Sequence, residues 1–400
     1  MQVTIYGALA KPIAANQNSF IKAAKRNTFE IRDILLFKFN NISLLDYRNY
    51  DNEYSTNKGD MAIAQATSEL LQSLDNNISF NFYNWGKLPI ANTKNAINNK
   101  FIVAGGGYFF LQTDGRIPSR LKEDLNFFKA NRVNPILFGV GLNAPGQDGV
   151  EARQLKLDPS DENTVREILN QSNLISVRDD ATKKFLQAYT EKPISLIGDP
   201  AIFLGKPVHQ YSASKIQSPS RPIIGINFPF HGPTSNKILK SNIAKYVEIL
   251  KALREKTNCE FKYFLHYDAE YIVPKLLKSK NLEIETIYGT PSQLISEYRT
   301  IDLHIGGMLH SCIMAHSVGT PCISLAYDIK HLGFFELMGT EDNYFSALNF
   351  DPKEIVQRSL VLLEEQEEVR KKIHERVNIY NDKIVEFSKQ CISNFNSFSA

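Results

Sequence analysis

The sequence predicts an α/β protein built from two doubly wound parallel-sheet domains facing a cleft. Three observations point there. Short, continuously apolar runs end in glycine or aspartate, helix-period segments separate them, and the alternation restarts after an aperiodic stretch rich in Ser, Pro and Lys. Continuous apolar strands suit parallel sheets that helices cover on both faces. In such folds the strand C-termini line the ligand crevice.

In the first half the strand-like runs are FIVAGGG (101–107), NPILFGVG (134–141), LISVRDD (174–180) and ISLIGDP (194–200). MAIAQATSELLQSL (61–74) and ATKKFLQAY (181–189) carry the helical period between them. KPVHQYSASKIQSPSRP (206–222) has no period and reads as a linker. The pattern restarts at RPIIGINFPF (221–230) and continues through NIAKYVEILKALREK (242–256), CEFKYFLHYD (259–268), LEIETIYG (282–289) and SQLISEYRTIDLHIGG (292–307). The expected domains are therefore 1–205 and 223–350, with a helical tail over 351–400 packing back across both. TFEIRDILLFKF (28–39) fits a helix or a strand and is left open, and no internal repeat is present.

A chain of 400 residues with 43% hydrophobic content has material for two or three domains. Its formal charge of +3 has acids and bases interspersed, which gives no support to a nucleic-acid role. Cys259, Cys312, Cys322 and Cys391 form no CxxC pair and no metal-ligand spacing, so reduced thiols and no metal site are expected. MQVTIYGALAKPIAAN lacks the apolar core of a signal peptide, and no run reaches the roughly 18 apolar residues of a membrane helix. The expectation is a cytoplasmic protein without a membrane span.

Polar residues at the ends of apolar runs are the places for chemistry. In STNKGDMAIAQATSELL (55–71), Asn57, Gly59 and Asp60 precede a helix, either as caps or as a loop bringing N–H groups to a ligand. Gly105, Gly106 and Gly107 end a buried strand, where they permit either close approach by a ligand or a tight turn. They form no GxGxxG or P-loop pattern. Arg178 in SVRDDATKKFL ends a strand, and its planar fork suits a carboxylate or phosphate, or else a salt bridge to a neighbouring acid. Asp179 and Asp180 suit the helix N-terminus that follows. Asp199 ends another strand in IGDPAIFL; Asn227 and His231 lie in INFPFHG, and His266 and Asp268 in YFLHYDAE.

The strongest candidate lies in GGMLHSCIMAHSVGTPCISLAYDIK (306–330). Two glycines, His310 and Ser311 open an apolar helix, and the next strand delivers Asp328 and Lys330 to the same rim. A histidine, an ammonium and a helix N-terminus together can bind a phosphate and move a proton. The plain alternative is that His310 only braces the helix.

The order NKGD, VAGGG, SVRDDAT, IGDPA and LHSCIMAHSVGTPCISLAYDIK, spanning roughly 55–340, resembles the polysaccharide pyruvyl transferase family. The resemblance implies a fold like the two-domain GT-B glycosyltransferases. It also implies transfer of the pyruvyl group of phosphoenolpyruvate onto two hydroxyls of a sugar in a cell-surface polysaccharide or its precursor. The product is a cyclic ketal, phosphate is released, and phosphoenolpyruvate serves as co-substrate without any cofactor. His310 would be the general acid, and Asp60 or Asp199 would take the hydroxyl proton. Asn57, Gly59, Gly105, Gly106, Gly107, Arg178, Asn227, His266, Ser311, Asp328 and Lys330 would surround the donor.

Two departures from the family pattern stand out. The family usually has arginine two residues before the histidine, where this chain has Met308, and its NxGD motif normally sits close to the N-terminus, whereas Asn57 follows a long segment. The partners expected are phosphoenolpyruvate and a sugar acceptor; a lipid carrier, with the inner membrane face as location, and a homo-oligomer are left open. Two other functions compete: a GT-B glycosyltransferase using a nucleotide sugar, and a catalytically inactive binding subunit in glycan assembly, for which the loss of a donor-gripping arginine would be the trace.

Overall fold

A computed structural model describes residues 1–7, 57–85, 100–112, 114–144, 155–205, 221–228 and 232–397. The 28–39 segment, His231 and all but the last two residues of the 206–222 linker lie outside the described residues.

The first sheet is made of β1 (Gln2–Gly7), β2 (Ser79–Asn84), β3 (Phe101–Ala104), β5 (Ile136–Val140), β7 (Leu174–Val177) and β8 (Ser195–Leu196). All six pair in parallel, in the order β2-β1-β3-β5-β7-β8. Beyond the ends of β3 and β5, β4 (Phe109–Phe110) and β6 (Leu142–Asn143) form a two-stranded extension. The covering helices are α1 (Lys58–Leu74), α2 (Ser119–Asn131), α3 (Pro159–Gln171) and α4 (Asp180–Gln187). The strand order reverses between β1 and β3, which opens a crevice at their C-terminal ends.

The second sheet repeats the architecture. It contains β9 (Ile223–Asn227), β10 (Glu260–Phe264), β11 (Glu285–Ile287), β12 (Leu303–Gly306), β13 (Cys322–Ala326) and β14 (Tyr344–Ser346). The order is β11-β10-β9-β12-β13-β14, again all parallel, so its reversal falls between β9 and β12. Its helices are α5 (Gly232–Thr257), α6 (Ile272–Lys278), α7 (Pro291–Tyr298), α8 (Leu309–Ser317) and α9 (Lys330–Met338), followed by α10 (Pro352–Glu364) and the long α11 (Gln366–Ser397).

Apolar periodicity explains how the halves join. Ile63 and Ala64 of α1, Cys312 and Ile313 of α8, and Ile373, Val377, Ile384 and Phe387 of α11 belong to one continuous buried cluster. That cluster also holds Val3, Ile102 and Phe138 of the first sheet and Phe264 of the second. Phe387 of α11 meets Phe138 edge-on, with ring centroids 5.5 Å apart. Each sheet has a further cluster of its own on its opposite face. No helix among the described residues is long and apolar enough to cross a membrane.

Candidate active site

The crevices at the two reversals meet. From the second sheet, β12 runs through Gly307 and Met308 into α8, whose second residue is His310. Asn227, at the end of neighbouring β9, fixes that loop: its carbonyl accepts from Gly307 N at 2.6 Å and its Oδ1 from Met308 N at 3.1 Å. From the first half, Asn57 caps α1, accepting from Gly59 N at 2.9 Å and from Asp60 N at 3.4 Å. The first turn of α1 thus lies against the first turn of α8, and a β-carbon at Gly59 would come 2.2 Å from His310 Nδ1.

His310 Nε2 lies 3.5 Å from Asp199 Oδ2. Asp199 is fully enclosed; its Oδ1 accepts from Ala201 N at 3.0 Å, and its Oδ2 also lies 3.9 Å from Arg178 NH1. Burial pushes the Asp199 carboxyl upward, but His310, Arg178 and the Ala201 N–H outweigh it and hold the group below its ordinary value. Asp60 has the opposite balance. Burial raises it to about 6, with His310 and Lys330 only partly opposing and the Asp199 charge adding to the rise. Its Oδ2 accepts from Asn57 Nδ2. The two carboxylates of this cluster therefore differ in charge: Asp199 is held ionised, while Asp60 keeps its proton up to about pH 6.

Arg178 is buried within this cluster. Its Nε lies 3.3 Å from Asp179 Oδ2, and its NH2 donates to Asn143 Oδ1 at 2.9 Å and to the Leu142 carbonyl at 3.4 Å. A β-carbon at Gly141 would come 2.2 Å from Arg178 Nε, so the guanidinium lies flat on that backbone. The salt-bridge reading of Arg178 therefore holds for most of its fork. Asp179 also caps α4 through Thr182 N at 2.7 Å.

Lys330 opens α9 with its Nζ 3.9 Å from Asp328 Oδ2 and 5.3 Å from the Tyr327 ring centroid. Asp328 is buried, and its Oδ1 accepts from Lys330 N at 3.3 Å and from Ala144 N, in the first half, at 3.4 Å. That carboxylate links the two halves and faces the Lys330 ammonium. The Met308 side chain packs into the apolar cluster of the second half, and Tyr327 OH donates to its sulfur at 3.7 Å.

Other expected contacts also have structural work. Asn227 Nδ2 donates to the Phe264 carbonyl and to Glu270 Oε2, each at 2.9 Å, so its side chain supports the crevice from below. His266 is buried against Tyr298 OH at 2.9 Å, and burial holds its imidazole well below the usual histidine range, hence neutral. Its carbonyl accepts from Lys58 N at 2.9 Å. Ser311 Oγ donates to the Met308 carbonyl at 2.7 Å and lies 2.9 Å from His304 Nε2, while Ser311 N donates to Met308 O at 3.0 Å. Helix geometry leaves the N–H groups of Leu309 and His310, not that of Ser311, for an anion.

The three glycines divide. Gly105 (φ 48°) accommodates Ile63 of α1, and Gly107 accommodates Asn143. Gly106 (φ 63°) borders the site: a β-carbon there would lie 3.3 Å from Trp85 Cη2 and 3.6 Å from Asp60 Oδ1. Trp85, Asn143 and Lys58 were not anticipated from sequence. Trp85 follows a polar edge strand, and Asn143 lies within a two-residue strand that no period marks. Lys58 had a signal in NKGD; it is buried with its Nζ 5.1 Å from the Tyr288 ring centroid.

The family model described as polysaccharide pyruvyl transferase matches residues 57–329. No curated protein matches the chain. Among solved structures, the Staphylococcus aureus MnaA–UDP complex is 10% identical, with a TM-score of 0.53, and the match covers 99% of this chain and 96% of that one. A Listeria monocytogenes protein assigned as a UDP-N-acetylglucosamine 2-epimerase is 12% identical, with a TM-score of 0.50, over 100% of this chain and 96% of that one. At these identities the likeness shows a GT-B-like fold and nothing finer.

Proposed function

The chain belongs to the polysaccharide pyruvyl transferase family, and we propose that it moves the pyruvyl group of phosphoenolpyruvate onto two hydroxyls of a sugar. The observation that carries this reading is the separation of roles around His310. One carboxylate is held ionised beside its Nε2, and another, partly buried and with a pKa raised to about 6, lies in the same cluster.

In the proposed reaction His310 gives a proton to the methylene carbon of the donor, which becomes a methyl group. Positive charge develops at C2, where a sugar oxygen adds while Asp60 takes its proton. The bond from C2 to the phosphate oxygen then breaks and a second sugar oxygen closes the ketal. Of the two hydroxyl protons released, one restores His310 and the other leaves with phosphate, so no oxidant or metal is required. Asp199 keeps the imidazole oriented through its contact with Nε2. With Met308 committed to the apolar cluster, the donor's anionic groups fall to Lys330 and to the N–H groups that open α8.

The test is incubation with phosphoenolpyruvate and an array of glycosides, read by phosphate release and by mass spectrometry of the sugar. Pyruvylated glycoside is the expected product. Consumption of a nucleotide sugar in its place, or no turnover with any acceptor, would overturn the reading.

A further inference from the structure

Outside the proton-transfer cluster, one polar network has no role yet. Arg120 lies with its guanidinium carbon 4.4 Å from the centroid of the Trp85 ring. Both ends of the fork are fixed: NH2 donates to the Tyr108 carbonyl at 2.7 Å, and NH1 to Asp124 Oδ2 at 3.2 Å. Asp124 is buried, and its Oδ1 accepts from Tyr6 OH at 2.6 Å. An arginine held at both ends fixes the plane of the indole on which it lies.

The indole is fixed in a specific place. Trp85 N donates to the carbonyl of Gly7, the last residue of β1, at 2.8 Å. From there the ring reaches across to Gly106 beyond β3, so it lies at the reversal point of the first sheet, where ligands of doubly wound folds bind. Its benzo edge and the Asp60 carboxylate both border the space over Gly106, at 3.3 and 3.6 Å from the position of a β-carbon. Trp85 stays partly exposed. A core brace needs neither a locked orientation nor a catalytic carboxylate at its edge.

We propose that Trp85, braced by Arg120, is the stacking platform for the acceptor sugar, and that its edge beside Gly106 sets the sugar hydroxyls against Asp60. The chemistry fits a pyranose. One face carries C–H groups that gain by leaving water against an aromatic ring, while its rim of hydroxyls needs acceptors. Asp60 supplies an acceptor at one side. This inference rests on the proposed reaction in taking the acceptor to be a sugar and Asp60 to be the group that receives its hydroxyl proton.

Trp85 is the single tryptophan of the chain, so its fluorescence reports on this site alone. The probes are methyl glycosides of glucose, galactose, mannose and their N-acetylamino counterparts, titrated without donor. At least one should change the fluorescence saturably. Trp85→Leu should raise the acceptor KM at least about tenfold, and Trp85→Phe by less, because a smaller ring still stacks. Donor affinity by calorimetry and melting temperature should stay near the unsubstituted values in Trp85→Phe. An acceptor KM within about twofold in Trp85→Leu would overturn the proposal, as would a glycoside that turns over without moving the fluorescence, or a panel that never moves it. Failure of the donor assignment reads differently: phosphoenolpyruvate would give no calorimetric heat while the fluorescence titration still responds.

Discussion

The imidazole of His310 rests on the backbone of Gly59, so closely that a β-carbon there would fall 2.2 Å from Nδ1 and 2.3 Å from Cγ. The glycine is needed for its missing side chain rather than for backbone freedom. Gly59→Ala should displace the ring by the order of an ångström, enough to lower turnover about a hundredfold. Steady-state kinetics beside a melting curve would check it; a folded alanine variant with full turnover would contradict the contact.

His310→Gln retains polarity and approximate size but cannot act as an acid. Turnover should fall about a hundredfold or more, with donor affinity and melting temperature little changed. A histidine that merely braces α8 gives the reverse pattern.

Asp60 links activity to stability. Burial holds its proton up to about pH 6, against 3.8 for the free side chain. Between those values the folded chain binds more protons than the unfolded one, so stability falls as pH rises through that window and stays lower above it. The cost near pH 7 is on the order of 3 kcal/mol. Asp60→Asn should therefore flatten this pH dependence and raise the melting temperature at pH 7.5 while turnover collapses. The unsubstituted protein should lose kcat/KM below about pH 6 as Asp60 becomes protonated. A variant that is both inactive and less stable at pH 7.5 would argue against a buried base.

Arg178→Lys keeps the charge but cannot serve Asp179, Asn143 and the Leu142 carbonyl at once. Breaking such a buried arrangement typically costs about 3–5 kcal/mol, so the melting temperature should drop visibly. Turnover should fall as well, because an ammonium cannot hold Asp199 beside His310 as the guanidinium does. Unchanged stability would show that the fork is less committed than its distances imply.

Much of the fold was legible because burial on both faces leaves a simple trace. FIVA, ILFGV, LISV and IIGIN are continuous apolar runs, and each is a strand. β1 and β2 went unread: SFNFYN lies at the sheet edge and mixes asparagine with aromatics, so no run of apolar residues marks it. At the site, His310 and Asp199 follow apolar strands and Asp60 opens an apolar helix, and they were visible for that reason. The opposite shifts of the two carboxylates were not, since they depend on burial and on which cations each one meets across the domain junction. Asn227 and Ser311 look the same in sequence as residues that face a ligand. Their partners show that they hold the loop.

The ring contact between Phe138 and Phe387 also bears on how the chain is made. Residues of the first sheet leave the ribosome early, yet one of their covering faces is supplied by α11, among the last segments to be synthesised. During translation the part of that apolar face that α1 leaves open waits for hundreds of residues, a hazard that chaperones exist to manage. A stop codon between α9 and α11 would spare Asp60, Arg178, Asp199, His310 and Lys330 and still leave a chain unable to seal its oldest part. Such truncations should be lost to aggregation or degradation rather than persist as inactive enzyme.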